Sequence, residues 1–259
     1  MNRLWAVNAS SNGKAFTDQS CSAPVTGDLE TCGRASFFLP VQYEPNYEYP
    51  LVIWLHDEGG NQLQMPRVMP SISLQNYVGV GVRAPRAGDA MGHGFGWLHN
   101  EAGIAITEQA IFDAIETAQS RYSIHPERIC LVGHRQGGTM ALRIGLRHPS
   151  TFAGVISLGG RFPSGSRPLA NLKAARKLPM LITFSDDPAG YRVSDICHDL
   201  RMWHTANLGL QMRNYDVQDE LHPEILSDVN HWIMEKVTGV NTLQAESLCD
   251  TVPVEFSAN

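Results

Sequence analysis

Seven short apolar runs, each bounded by turn residues, constrain the fold of this 259-residue chain more than any other feature. The runs are Ser36 to Leu39, Leu51 to Leu55, Tyr77 to Val82, Ile129 to Val132, Gly154 to Leu158, Met180 to Phe184 and Leu208 to Tyr215. Runs of this length between turn residues are typical of buried strands. Helical patterns separate several of them. Strands that alternate with helices predict an α/β fold with a mostly parallel sheet and helices on both faces.

Four helical patterns accompany the strands. The clearest places five residues on one face at spacings of three, four and seven: Ile104, Ile111, Ile115, Ala118 and Tyr122. A second pattern follows Gly137 and ends at His148, and a third covers roughly residues 193–206. The fourth starts after Pro223, where proline favours the first helical turn, and runs to about Val237.

The chain is predicted to form one domain, residues 36–237. Residues 1–35 are rich in Ser, Asn, Asp, Thr and Gly with little periodicity, which indicates an N-terminal arm. Residues 238–259 show no strong pattern and are interpreted as a C-terminal tail. A hydrophobic content of 43% over this length is enough for one core and leaves little room for a second domain.

Charge and hydropathy exclude several classes of partner. The chain carries 20 Lys and Arg residues against 26 Asp and Glu residues, for a net charge of −6. The basic residues are scattered, without the stripe that binds a phosphate backbone, which argues against nucleic acid. No stretch reaches the roughly 18 apolar residues of a membrane span, and no secretory apolar run follows the first residues. We therefore expect no membrane span and a cytoplasmic location.

Cysteine and histidine spacings favour neither a disulfide framework nor a metal site. The five cysteines are widely spaced without a C-x-x-C pair, although a bridge between Cys21 and Cys32 stays possible. His93 and His99 lie in a glycine-rich segment, but their spacing matches no common ligand pattern and no paired carboxylate stands nearby. No metal and no cofactor are expected.

The segment from Arg128 to Leu142 points to chemistry. It combines an apolar strand, a tight turn with Gly133 and Gly137 on its two sides, and a helix. This is the framework of a nucleophile elbow, G-x-S-x-G, in which a strained turn lifts the central side chain above the sheet at a helix N-terminus. The central residue here is Arg135. A guanidinium is protonated at neutral pH and offers no lone pair, so it cannot attack a carbonyl.

The elbow and three further stretches resemble the phospholipase/carboxylesterase group of α/β-hydrolases, which includes acyl-protein-thioesterase-like members. Besides the elbow and the residues that lead into it from Tyr122, the stretches are residues 51–61, 179–188 and 221–226. Their order is nucleophile position, acid, histidine, as the α/β-hydrolase fold requires. The resemblance covers roughly residues 36–237 and implies an α/β-hydrolase fold and an ancestry among carboxylic ester hydrolases.

The resemblance also implies a role for individual residues. Asp187 is expected to be the orienting acid, with Asp186 as a competitor, and His222 the general base. The backbone N–H of Gln136 and a group in the loop from His56 to Gly60 are expected to be the oxyanion donors. Three aromatic side chains are expected to line the wall of the cleft: His56, Trp97 and His134.

The chain departs from the family pattern at three positions, all inside the site. Arg135 stands for the serine, Asp57 stands where the family usually has glycine, and Leu221 stands where a glycine commonly precedes the histidine. A carboxylate at Asp57 would oppose the negative charge that develops on a substrate oxygen. An unpaired buried charge is costly, so we expect Arg135 to pair with a carboxylate of the acid or oxyanion loop. The candidates are Asp187, Asp186, Asp57 and Glu58.

Two functions follow from these departures. The first is a catalytically inactive homologue whose cleft is retained for a ligand, or whose surface is retained for assembly, for instance as a homodimer. An arginine at a helix N-terminus favours a small anionic ligand. The ancestry among carboxylic ester hydrolases favours an ester-like molecule. The second is an active ester hydrolase or thioesterase with a rebuilt site, which uses Ser185, Thr139 or a water activated by His222.

Overall fold

The computed structural model describes residues 30–32, 34–88, 94–165, 167–185, 191 and 193–238. Several residues singled out above therefore lie outside the described part of the chain: Cys21, His93, Asp186 and Asp187. Most of the predicted N-terminal arm and nearly all of the predicted tail do so as well.

An eight-stranded sheet forms the centre of the fold, in the order β1-β2-β4-β3-β7-β8-β9-β10. The strands are β1 (Glu30–Cys32), β2 (Ala35–Phe38), β3 (Tyr49–Leu55), β4 (Val78–Val82), β7 (Ile124–His134), β8 (Gly154–Leu158), β9 (Met180–Ser185) and β10 (Leu210–Tyr215). The six strands from β4 to β10 in this order are parallel, and β1 and β2 are antiparallel to their neighbours. Two short strands, β5 (Arg86–Ala87) and β6 (Phe95–Gly96), pair separately.

Helices cover both faces of the sheet and enclose two apolar cores. They are α1 (Met65–Ile72), α2 (Glu101–Arg121), α3 (Gln136–Arg147), α4 (Leu172–Ala175), α5 (Val193–Ala206) and α6 (Pro223–Thr238). Helices α1 and α6 pack on one face, where Trp54 and Trp232 are fully buried. Helices α2, α3 and α5 pack on the other face, around residues such as Ile104. Full burial of one large apolar side chain contributes roughly 1.5–3 kcal/mol, so both faces stabilise the sheet.

The predicted α/β architecture, with a mostly parallel sheet and helices on both faces, is confirmed. All seven apolar runs are strands, and the four helical patterns are α2, α3, α5 and α6. Strand β1 was not predicted, and it lies within the segment interpreted as an arm. Helix α1 was missed because it contains Pro66 and Pro70, which usually indicate a helix end. Its buried Met65 and Met69 nevertheless hold it on the sheet.

The parallel strands place several loops at one edge of the sheet. Strands β7, β8, β9 and β10 run in the same direction, so the segments that follow them leave from the same edge. In open α/β sheets, ligands bind at this carboxyl edge. Among the residues that the structure describes, no helix is long and apolar enough to span a bilayer.

Candidate active-site cleft

Arg135 occupies the turn that joins β7 to α3. Its backbone has φ 45° and ψ −108°, a strained conformation for a residue with a side chain. The turn is tight enough that a Cβ atom at Gly133 would overlap the carbonyl of Gly137. The Arg135 N–H donates to the Leu158 carbonyl at 2.7 Å, which ties the turn to β8. The turn is therefore a nucleophile elbow in its backbone geometry, with an arginine at the apex.

The Arg135 side chain forms an ion pair with Glu220, in the loop between β10 and α6. Its Nε and Nη2 both donate to Oε2 of Glu220, at 3.0 Å and 2.8 Å. Only 1% of the Glu220 side chain is exposed, against 34% for Arg135. Burial raises the pKa of Glu220, but the neighbouring His134 and Arg135 outweigh it and lower this pKa to about 2. The acid is therefore charged throughout the neutral range.

Two further residues fix the position of Glu220. Gly159 has φ 67°, and a Cβ atom there would lie 2.8 Å from Cγ of Glu220, so this glycine leaves space for the acid. His134 lies on the other side, with Nε2 3.7 Å from Oε2 of Glu220. The His134 ring is buried, and neither nitrogen has a hydrogen-bond partner among the described residues.

The expectation that Arg135 pairs with a carboxylate is confirmed, and the partner that the described residues show, Glu220, is an acid outside the predicted set. Glu220 comes from the loop before α6, which the sequence analysis connected only with a histidine. Of the predicted partners, Asp57 accepts backbone N–H groups and Glu58 forms an ion pair with Arg86. Asp186 and Asp187 lie outside the described residues. The signal that could have identified Glu220 is an acid two residues before the predicted histidine.

Asp57 occupies the two backbone donors at the start of α3 and in the loop after β3. Its Oδ1 accepts from the N–H of Gln136 at 3.1 Å and from the N–H of Glu58 at 2.7 Å. The Gln136 N–H is the predicted oxyanion donor, and Glu58 belongs to the loop expected to supply the second. A carboxylate oxygen of the protein thus accepts from the predicted oxyanion donor and from a neighbouring N–H group.

His56 and Trp97 support the Asp57 loop from beneath. The Ala84 N–H donates to Nε2 of His56 at 3.1 Å, which leaves the proton on Nδ1, 2.7 Å from the Asp57 carbonyl. Burial lowers the pKa of His56 to about 4, so the ring is neutral at neutral pH. Trp97 Nε1 donates to the His56 carbonyl at 2.7 Å. Both side chains fix the loop.

The cleft above these residues has a volume of about 330 Å³. Its lining residues are Asp57, Glu58, Arg135, Gln136, Thr139, Gly159, Gly160 and Arg161. The three predicted wall residues, His56, Trp97 and His134, are buried behind this surface. Within the described part of the chain, the lining is charged and holds no serine or histidine.

His222 lies at the start of α6, and its imidazole is 46% exposed. Its Nδ1 accepts a long hydrogen bond of 3.4 Å from the Glu224 N–H, and its carbonyl accepts from Leu226. The side chain of this loop that contacts Arg135 is Glu220, two residues earlier. The roles of His222 as base and of Asp187 as acid stay predictions.

Neither candidate replacement nucleophile forms a side-chain hydrogen bond with a base among the described residues. Ser185 ends β9, and its buried Oγ has no hydrogen-bond partner there. Thr139 lines the cleft in the first turn of α3, where its N–H donates to the Arg135 carbonyl at 3.0 Å.

Comparisons with known proteins show which family and fold the chain resembles. The sequence model described as phospholipase/carboxylesterase matches residues 66–234, more than half of the chain. A stretch of 150 residues is 28% identical to the putative esterase NocK of Nocardia uniformis subsp. tsuyamanensis. This match covers 54% of the chain but only 40% of NocK, so the chain spans less than half of that relative.

Solved structures share the fold. A variant of SOBER1 from Arabidopsis thaliana has 18% identity and a TM-score of 0.59, over 73% of this chain and 99% of that one. The carboxylesterase of Bacillus cereus has 14% identity and a TM-score of 0.56, over 78% and 93% of the two chains. At these identities the likeness concerns the fold alone, which is that of the α/β-hydrolases.

Proposed function

The chain belongs to the phospholipase/carboxylesterase family of α/β-hydrolases, and we propose that it is a catalytically inactive member of that family. The observation that carries the proposal is the ion pair of Arg135 and Glu220 at the apex of the elbow. Acyl transfer in this fold needs a nucleophile at the apex, and a guanidinium has no lone pair to offer. Loss of a triad serine in a serine hydrolase lowers kcat about 10⁶-fold.

The Asp57 carboxylate supports the same conclusion from the oxyanion side. The transition state of acyl transfer gains its largest stabilisation from hydrogen-bond donors that already point to the oxygen on which negative charge develops. In this chain, Oδ1 of Asp57 already accepts from Gln136 and Glu58, and its own charge repels an oxyanion. The apex thus carries no nucleophile, and Asp57 occupies the oxyanion donors, so even the residual catalysis that the donors alone supply is expected to be lost.

Retention of the fold for binding or assembly is part of the proposal. Glu220 and Asp57 bring two negative charges close to Arg135, so the cleft attracts a small anion less than the arginine alone suggests. A homodimer and a cytoplasmic location stay predictions from the sequence.

The alternative of a rebuilt active site has weaker support. Ser185 Oγ is buried and has no hydrogen-bond partner among the described residues. The Thr139 hydroxyl forms no hydrogen bond with a described histidine or carboxylate. Neither hydroxyl therefore has the adjacent base that activates a nucleophile.

Steady-state assays of the full chain with para-nitrophenyl acetate and butyrate test the proposal. We expect no burst and no turnover above buffer, because no acyl-enzyme can form at the apex. The matched control is Glu108→Gln, an exchange of a carboxylate outside the cleft, which should behave as the native chain does. Turnover that saturates with substrate and survives in this control would contradict the proposal.

A further inference from the structure

A second pocket, of about 790 Å³, lies between the loop after β8 and helix α5. Apolar side chains form much of its lining: Phe162, Pro163, Leu169 and Met202. The Phe162 ring packs edge-on against Trp203, with ring centroids 4.9 Å apart, which gives the pocket a fixed wall. None of the described residues lines both this pocket and the cleft at Arg135. The volume falls in the range of roughly 300–1,000 Å³ that is common for small-molecule sites.

The polar groups that this pocket offers are donors. Arg167 and His198 line it, and neither side chain forms an ion pair or hydrogen bond with another residue in the described ranges. The acid in the lining, Asp199, is already occupied, because its Oδ2 accepts from the Phe162 N–H at 3.1 Å and from the Tyr191 hydroxyl. A cation and an imidazole are thus available to a ligand. The Asp199 carboxylate keeps its negative charge, but Phe162 and Tyr191 hold its Oδ2 at the wall.

We propose that this pocket binds a carboxylate with an apolar acyl or aryl body. The body lies against Phe162, Leu169 and Met202, where burial stabilises it by roughly 25 cal/mol per Å² of apolar surface. The carboxylate accepts from the guanidinium of Arg167, whose planar fork matches it, and His198 supplies a further donor. The inference is independent of the inactivity proposed at the elbow, because the two sites share no lining residue and no covalent step is involved.

Charge complementarity decides the class of ligand. A neutral ligand of the same shape would leave the guanidinium without an anion, and a cationic one would be repelled by it. A small anion without an apolar body, such as acetate, would leave the apolar wall unused. An amphipathic carboxylate is the class that uses both parts of the lining.

Calorimetric titration of the full chain with octanoate tests the proposal, with octanamide as the uncharged match of equal chain length. We expect one octanoate per chain and weaker binding of octanamide. Arg167→Gln should lower the affinity for octanoate about fivefold or more and leave the affinity for octanamide unchanged. Leu169→Asp should weaken both ligands. The matched control is Arg201→Gln, an exposed arginine on α5 outside the lining, which should leave both affinities unchanged.

Three outcomes would overturn the proposal: no saturable octanoate binding, equal binding of octanamide, or equal effects of Arg167→Gln and Arg201→Gln. Thermal unfolding of each variant establishes that it is folded before titration. Arg135→Met, in the separate cleft, should retain octanoate binding. If Arg135→Met lost octanoate binding while Arg167→Gln bound octanoate with unchanged affinity, the ligand would lie at the elbow. That result would contradict the assignment.

Discussion

A Cβ atom on Gly159 would lie 2.8 Å from Cγ of Glu220 and 2.9 Å from its Oε1, so this glycine provides the space in which the acid reaches Arg135. The elbow, the end of β8 and the loop before α6 are joined through this contact and the ion pair. More than one residue thus accommodates the arginine at the apex of the turn. A buried acid, a glycine that accommodates it and a cation at the apex fit one another.

Gly159→Ala should lower the free energy of unfolding by about 2–4 kcal/mol, because the methyl group combines an unfavourable positive φ with a clash against Glu220. Gly165→Ala is the matched control. Gly165 has φ 68°, but a Cβ atom there meets nothing within 4 Å, so only the backbone cost of about 1 kcal/mol is expected. Urea unfolding measures both. Equal losses in the two variants would mean that Glu220 does not lie against Gly159.

Arg135→Met should destabilise the fold more than Glu220→Gln does. The arginine is 34% exposed and reaches water when its partner is lost, whereas Glu220 is 1% exposed and would be left as a buried anion. We expect losses of about 2–4 kcal/mol for Arg135→Met and about 1–2 kcal/mol for Glu220→Gln. The double variant should lose less than the sum of the two, as the unfolding energies of a double-mutant cycle would reveal. An additive cycle would show that the pair contributes no coupling.

Acid should destabilise the fold in two steps. In the folded state the pKa of His56 is lowered from 6.5 to about 4. The contribution of the neutral ring to the free energy of unfolding is therefore complete above pH 6.5 and is lost as the pH falls to about 4. The folded pKa of Glu220 is lowered from 4.5 to about 2, so its contribution is lost between these values. Urea unfolding from neutral pH downward measures both, and the first step is worth about 3 kcal/mol at most.

His56→Asn separates the two acid steps, because asparagine keeps a donor near the Asp57 carbonyl but does not titrate. The variant should lose the step between pH 6.5 and pH 4 and keep the lower one. An unchanged pH dependence in this variant would assign the first step to another group.

Weak esterase activity should return when Arg135, Asp57 and Glu220 are exchanged together. Arg135→Ser with Asp57→Gly restores a hydroxyl at the apex and frees the Gln136 and Glu58 donors, but it leaves Glu220 buried without its cation. Glu220→His is expected to raise the hydrolysis of para-nitrophenyl butyrate further, because position 220 contacts the apex residue. His222→Ala in this triple variant should have little effect. Activity that requires His222 and ignores position 220 would contradict this and support His222 as the base.

The sequence predicts the fold well because the fold depends on local patterns. Apolar runs of strand length and helical spacing identify seven strands and four helices, and the glycines beside Arg135 identify the elbow. Helix α1 escapes because its stability comes from burial of Met65 and Met69, which outweighs the local effect of two prolines. The sequence does not predict Glu220 as the partner of Arg135, because the two residues are 85 positions apart and their contact depends on the space above Gly159.

The most direct test of the proposed inactivity is the intact mass of the native chain after incubation with a fluorophosphonate probe, which modifies an activated serine. We expect an unchanged mass, because the apex carries a guanidinium paired with Glu220 and neither Ser185 nor Thr139 is hydrogen-bonded to a base in the described residues. The triple variant Arg135→Ser/Asp57→Gly/Glu220→His, treated in parallel, should gain one probe per chain at position 135. One probe per chain on the native protein, mapped to a single residue, would contradict the account and identify the nucleophile.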